Sequence, residues 1–331
     1  MNYYFFPLFY MFFLFMSTFM VLSSSSMIVL WLGLEINLMS FIPLIFILGS
    51  GKGNSEAIVK YFLIQAISSS LILFLFMWSF MYSNYSLWIS KEIIISMSLA
   101  MKVGLAPFHF WFPEVMSGMD WIGSLLIMTW QKISPLYILS MVFDQNFLMF
   151  MGVCSALTGA IMGLSQVSLQ KILAFSSISH LGWISIILSL SSLNWIFYLS
   201  IYILVSLITC LCLWFLNFFH LSQIFYEENM SVKFLVFMNL LSTGGLPPLL
   251  GFSAKLVAFK ELYSYTPLLL VLILSSLLTL YFYTRICISS FTMSNLSLNF
   301  LKVDKNSVSW LFLSLNIVIT FLGILPVLYF L

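Results

Sequence analysis

Eleven apolar runs decide what this chain can become. Counted between polar breaks, they cover roughly residues 3–22, 27–48, 57–82, 93–113, 121–143, 147–164, 172–190, 195–219, 232–262, 267–291 and 308–331. A helix needs about 20 such residues to cross a bilayer. In hydrocarbon the backbone must satisfy its own hydrogen bonds, so runs of this kind fold as helices. The expected fold class is therefore an all-α polytopic membrane protein with about 11 transmembrane helices. A charged fraction of 7%, with 62% hydrophobic residues, against roughly 25% charged in soluble domains, excludes a water-soluble fold. The net charge of +2 argues against a nucleic-acid partner.

Against this background the ionisable residues stand out. Residues 101–114, Met-Lys-Val-Gly-Leu-Ala-Pro-Phe-His-Phe-Trp-Phe-Pro-Glu, lie within an apolar run and still carry Lys102, His109, two prolines and a glycine. Pro107 has no N–H, which leaves the carbonyl of Val103 without its helical partner. Broken backbone at membrane depth is tolerated only where it is buried in protein or lines a wet cavity. Glu35, Lys102, Lys132 and His180 fall near the middle of their runs. Lys255 lies in the second half of the ninth, which is too long for one crossing and holds Gly244, Gly245, Pro247 and Pro248. That run reads as a broken helix. Ionisable groups at such depth are functional candidates by default. Burial disfavours charge, so buried lysines and carboxylates lie nearer to exchanging their protons, as a proton relay requires. Pro135 frees the carbonyl of Gln131 beside Lys132. Ser176 and Ser177 accompany His180, while Gln65, Ser68, Ser69, Asn239, Ser242 and Thr243 add hydrogen-bonding partners. A static buried ion pair between Glu35 and Lys102, or a histidine satisfied in the core, is the plain structural alternative. Lys60, Lys91, Glu92, Asp144, Glu227 and Glu228 fall at run ends, where side chains reach the interface.

Other chemistries find little support. Cys154, Cys210, Cys212 and Cys287 lie in apolar runs without C-x-x-C spacing, so neither a disulfide framework nor a metal centre is expected. His109, His180 and His220 are too few for two bis-histidine haems. Gly49-Ser-Gly-Lys-Gly misses the phosphate-loop spacing, and no G-x-G-x-x-G occurs. Asn84-Tyr-Ser, Asn229-Met-Ser and Asn295-Leu-Ser are formal glycan acceptors. The first basic residue is Lys52, so neither a secretory nor a transit signal is expected, and insertion is expected from the apolar runs themselves. Lys52, Lys171, Lys233, Lys302 and Lys305, with Arg285 nearby, fall on one side of the expected crossings, and Lys91 and Lys260 on the other. The positive-inside rule places the first group and the N-terminus on the cytoplasmic or matrix side, with Leu331 opposite.

Gly104-Leu-Ala-Pro-Phe-His-Phe-Trp in the fourth run echoes Gly245-Leu-Pro-Pro-Leu-Leu-Gly-Phe in the ninth. Five crossings apart, the two copies have opposite topology, a pattern that points to a midplane transport site. Trp31-Leu-Gly-Leu-Glu-Ile-Asn-Leu-Met-Ser-Phe-Ile-Pro, the 101–111 segment, Trp130-Gln-Lys-Ile-Ser-Pro, Lys171-Ile-Leu-Ala-Phe-Ser-Ser-Ile-Ser-His-Leu-Gly-Trp and Gly244-Gly-Leu-Pro-Pro-Leu-Leu-Gly-Phe-Ser-Ala-Lys together resemble the NADH dehydrogenase subunit 2 family, antiporter-like membrane subunits of respiratory complex I. The short loops resemble its animal mitochondrial form. The resemblance implies two inverted five-helix repeats, over 1–146 and 147–291, with a connecting loop and terminal helix over 292–331. It implies a mitochondrial inner-membrane subunit that translocates protons, with NADH, FMN, iron–sulfur clusters and ubiquinone in partner subunits and no redox centre of its own. Neighbouring antiporter-like subunits of the membrane arm are the implied partners. By matching motif, Glu35 and Lys102 would form the coupling pair, Lys132 the central relay and Lys255 the exit-side lysine, with His180 between the halves. A stand-alone cation/proton antiporter subunit and a purely structural membrane-arm spacer are the alternatives.

Overall fold

The computed structural model describes residues 2–49, 52–81, 88–142, 144–190, 193–227 and 229–293. The eleventh run, Lys302, Lys305, Glu228 and the glycan acceptors at Asn84 and Asn295 lie outside those residues. Among the described residues the regular structure is helical, and seven helices are long and apolar enough to cross a membrane. The chain divides into two compact units, with the boundary near Ser155.

In the first unit α1 (Asn2–Ser23) lies along α2 (Met27–Leu48), and α3 (Lys52–Met81) packs on α2. The fourth run becomes two pieces, α4 (Trp88–Val103) and α5 (Trp111–Gly118), both packed on α3. Next come α6 (Trp121–Met128) and α7 (Trp130–Met141), and α7 packs on α1 and α4. From the first unit α8 (Gln145–Gly163) runs on into the second. The second unit continues with α9 (Leu169–Ser189), α10 (Asn194–Leu216), the short α11 (Leu221–Phe225), α12 (Met230–Gly244), α13 (Leu250–Glu261) and α14 (Thr266–Met293). There α10 packs on α12 and α13, and α12 on α14. Nearly every residue of α9, the helix that carries His180, is buried.

The outer surface is made of apolar side chains: Phe6, Phe9, Phe12, Phe13 and Phe19 of α1 are exposed. A surface of that kind suits lipid and not water. Apolar burial cannot hold helices together in lipid, so close van der Waals packing over small residues takes its place. At Gly159 of α8, an added Cβ would lie 2.6 Å from the carbonyl oxygen of Phe175 and 2.7 Å from the amide nitrogen of Ser179, both on α9. The two helices touch there backbone to backbone.

Both expected breaks are present. Gly104 (φ 85°) and Gly245 (φ 76°) adopt left-handed backbone, where other residues are strained by about 1–2 kcal/mol. Each glycine ends its half-helix, and each is followed by a cis X-Pro bond, Ala106–Pro107 or Pro247–Pro248. The fifth run, read as one helix, is interrupted at Thr129, where φ is −112° and ψ is −74°. The amide and hydroxyl of Thr129 both bond the Leu125 carbonyl, at 3.0 and 2.7 Å. Pro135, six residues later, sits inside α7. Lys233, expected close to a loop, is buried instead: its Nζ donates to the carbonyls of Phe225 (3.3 Å) and Ser290 (3.1 Å).

Gly159→Ala should separate α8 from α9 and lower stability by about 1–3 kcal/mol. Gly123→Ala should be tolerated, because its Cβ would meet only the Met119 side chain at 3.5 Å or more. Thermal melting of the purified assembly carrying either variant checks the contrast.

Candidate functional site

Breaking a helix in apolar surroundings strands its last carbonyls, and the identity of the groups that meet them describes the site. In α4 the Ala100 carbonyl accepts from the amides of Gly104 (2.9 Å) and Leu105 (3.0 Å). The Met101 carbonyl accepts from the indole N–H of Trp111 at 3.2 Å, and the Lys102 carbonyl from Nε2 of Gln65 at 3.2 Å. Side chains of α5 and α3 thus complete the broken end and pin Lys102 in place.

Lys102 is 6% exposed, and its Nζ makes no direct hydrogen bond or ion pair with the described residues. It lines a small cavity with Lys132, Asn37, Tyr61, Gln65 and Gln131. The cavity offers about 20 Å³ to water centres, enough for one or two waters with polar partners. Lys132 is 2% exposed and holds its Nζ 5.0 Å from the ring centroid of Phe112, a cation–π arrangement. Beside the two lysines runs a chain of neutral groups. The Tyr61 hydroxyl donates to Gln131 Oε1 (3.2 Å), Gln131 Nε2 to Asn37 Oδ1 (3.0 Å), and Asn37 Nδ2 to Ser134 Oγ (3.3 Å). This chain fixes both amides against rotation and lines the path between two buried amines with oriented dipoles. Asn37 and Gln131 stand inside apolar runs, and that placement was the available sequence signal for them; their joining depends on tertiary structure.

Glu35 of α2 does not form the static buried ion pair with Lys102 that was the plain structural alternative. It is half-buried, and no contact within 4.0 Å joins it to Lys102. It stays within electrostatic range of that lysine. Lys60 of α3 and Glu114 of α5 do form an ion pair, at 2.6 Å, on an exposed face.

The second unit repeats the solution with other residues. At the end of α12 the Leu241 carbonyl takes the amide of Leu246 (3.2 Å), and that of Ser242 the amide of Gly245 (3.1 Å). The Thr243 carbonyl receives Nε2 of His180 at 3.0 Å, and the Gly244 carbonyl receives Nζ of Lys255 at 2.6 Å. Two of the five sequence candidates therefore sit on successive carbonyls. A carbonyl only accepts, so Nε2 of His180 carries a proton. When the ring is neutral, Nδ1 is the acceptor for the Tyr198 hydroxyl at 3.0 Å. The Tyr202 ring lies 5.2 Å from the imidazole, centre to centre. The hydroxyls of Ser68, Ser176, Ser242 and Thr243 bond carbonyls three residues back in their own helices, as expected of hydroxyls in crossing helices. Among the described residues no three His, Cys, Asp or Glu side chains are grouped to hold a metal ion.

A Cβ on Gly245 would lie 2.9 Å from Cε and 3.0 Å from Nζ of Lys255. Gly245→Ala should therefore displace the lysine as well as strain the left-handed turn, lowering stability by about 1–2 kcal/mol or more. Melting temperature and proton pumping, measured together on the assembled complex, should both fall.

Residues 24–280 match the family described as NADH:quinone oxidoreductase/Mrp antiporter, TM. The NADH-ubiquinone oxidoreductase chain 2 of Anopheles gambiae is 42% identical over 322 residues, covering 93% of this chain and 92% of that one. A chain of respiratory complex I from Thermus thermophilus superposes with a TM-score of 0.82 at 22% identity, over 96% of this chain and 77% of that one. A chain of the Mrp complex from a Dietzia species gives 0.70 at 17% identity, over 83% and 58%. These two structures speak for the fold. With the sequence match across most of its length, the chain belongs to the NADH:quinone oxidoreductase/Mrp antiporter transmembrane family, among the chain 2 subunits of NADH-ubiquinone oxidoreductase.

Proposed function

We propose that the chain is a membrane-arm subunit of respiratory complex I that moves protons while partner subunits oxidise NADH and reduce ubiquinone. NADH, FMN, iron–sulfur clusters and ubiquinone are assigned to those partners, and no redox centre to this chain. The observation that carries the reading is the placement of Lys102, Lys132 and Lys255. All three amines are buried, at 6%, 2% and 4% exposure, and all stand at or beside interruptions of apolar helices. An ionisable amine buried at such a position is costly to charge and is read by default as functional.

Within this reading Glu35 and Lys102 are the coupling pair, Lys132 the central relay, Lys255 the exit-side group and His180 a further member of the relay. A gap between Glu35 and Lys102 suits switching better than a closed ion pair would. A charge beyond contact distance still alters its neighbour's proton affinity through space, more weakly than a closed ion pair would and without locking the two together. A charge change at one member then alters proton occupancy at the next. The finer architecture proposed is eleven crossings arranged as inverted five-helix repeats over 1–146 and 147–291, with a terminal segment over 292–331. The matching Gly104 and Gly245 breaks support it. The protein is placed in the mitochondrial inner membrane as a multi-pass subunit, N-terminus on the matrix side and C-terminus on the intermembrane-space side. The lysine distribution along the sequence supports that orientation.

Lys102→Met and Lys132→Met should each abolish or sharply reduce protons pumped per electron pair in reconstituted vesicles while the complex still assembles. Lys60→Met, on the exposed pair, should leave the ratio unchanged. An unaltered ratio in both buried-lysine variants refutes the assignment.

A further inference from the structure

A second cavity in the second unit, away from the buried lysines, has a construction of its own. It measures about 580 Å³ and lies among the loop after α8, α11 and the last turns of α14. Ser165, Gln166, Ser289 and Arg285 give it a polar portion; Phe225 and Phe282 contribute apolar wall. Arg285 is the chain's single arginine. Its guanidinium makes no hydrogen bond or ion pair with the described residues. It stands on a 28-residue apolar helix, two turns before the end at Met293, where a membrane helix leaves hydrocarbon for headgroups.

The walls are fixed in advance. The loops on either side of the cavity are tied by the Leu169 amide to the Phe219 carbonyl (2.9 Å) and the Leu221 amide to the Val167 carbonyl (3.2 Å). Buried Lys233 bonds the carbonyls of Phe225 and Ser290, tying the end of α11 to the end of α14. Its ammonium also places a second positive charge behind the cavity wall. So large a preformed space, with a guanidinium unpaired among the described residues and apolar flanks, calls for an amphiphile with a negative head.

We infer that this cavity holds the headgroup of an anionic phospholipid, its phosphate on Arg285 and its acyl chains along the apolar wall. Guanidinium presents a planar fork that matches two phosphate oxygens. Basic pockets among membrane helices on the positive side are suited to anionic headgroups, and Lys171 adds charge at the same end of the sequence's expected crossings. Inorganic phosphate would satisfy the arginine but leave the apolar wall bare. The inference concerns lipid retention and is independent of the proton-relay assignment.

The test uses the intact complex, washed free of loosely held lipid and reconstituted in phosphatidylcholine vesicles. The vesicles contain a minor share of phosphatidylglycerol or phosphatidylcholine with a photoactivatable acyl chain. Irradiation should label peptides containing Ser165 or Phe282 from the phosphatidylglycerol probe and far less from the phosphatidylcholine probe. In Arg285→Gln the label should fall about fivefold, the affinity one basic residue contributes beside an anionic surface. Arg285→Lys should recover part of it, and Lys260→Gln should match the wild type. Equal labelling by both probes, no labelling of these peptides in the wild type because protein fills the space, or displacement by inorganic phosphate would each overturn the inference. The comparison of probes on the wild type decides even where a variant fails to assemble.

Discussion

A stranded carbonyl in an apolar interior is the constraint on which the structure depends. Four backbone acceptors are left over wherever an α-helix stops, and in a bilayer no bulk water meets them. This chain stops helices inside apolar runs, at Val103 and at Gly244. It then answers each stop with buried side chains: Trp111 and Gln65 at the first, His180 and Lys255 at the second. Polar groups that would be expensive elsewhere thereby serve as structural caps. Ionisable groups enter the interior as part of the same arrangement, so the architecture and the chemistry share one cause.

The two ends are completed differently. At α4 the capping donors are neutral, and Lys102 is left facing a cavity with room for water. At α12 the lysine itself caps, with its amine on a carbonyl. An amine facing space exchanges protons with whatever occupies that space, whereas an amine on a carbonyl gives up a strong bond when it loses its proton. The proposed coupling duty of Lys102 and exit-side duty of Lys255 are in keeping with this contrast. Within the proposed relay, charge loss at Lys255 would weaken a bond at the end of α12, whereas at Lys102 it would break no bond to the described residues.

Much of this was legible from residues alone. Apolar run length marks the seven helices long and apolar enough to cross, and Gly with Pro at 104–107 and 244–248 marks the breaks, because both act through local backbone geometry. The interruption at Thr129 was hidden, since threonine fits a helix and the distortion lies upstream of the proline that drew attention. The ties among Tyr61, Gln131, Asn37 and Ser134 join positions as far apart as 97 residues, which no local pattern encodes. Lys233 was misplaced because a lysine near a run end ordinarily reaches for the interface, and here two helix-end carbonyls hold it inside. Glu35 was legible as a mid-run carboxylate, but its partial exposure depends on which face of α2 is left uncovered.

The hydrogen bond from His180 to the Thr243 carbonyl limits how an imidazole in that position conducts. Passing a proton through the ring requires one nitrogen to receive while the other releases, and a peptide oxygen is no carrier to release to. Traffic arriving by way of Tyr198 can load and unload at the same nitrogen, but it cannot travel straight across while the ring keeps this orientation. Through-passage would need the ring to turn, which breaks the cap on α12. As a proposed relay member, His180 could turn only by releasing the helix end it supports.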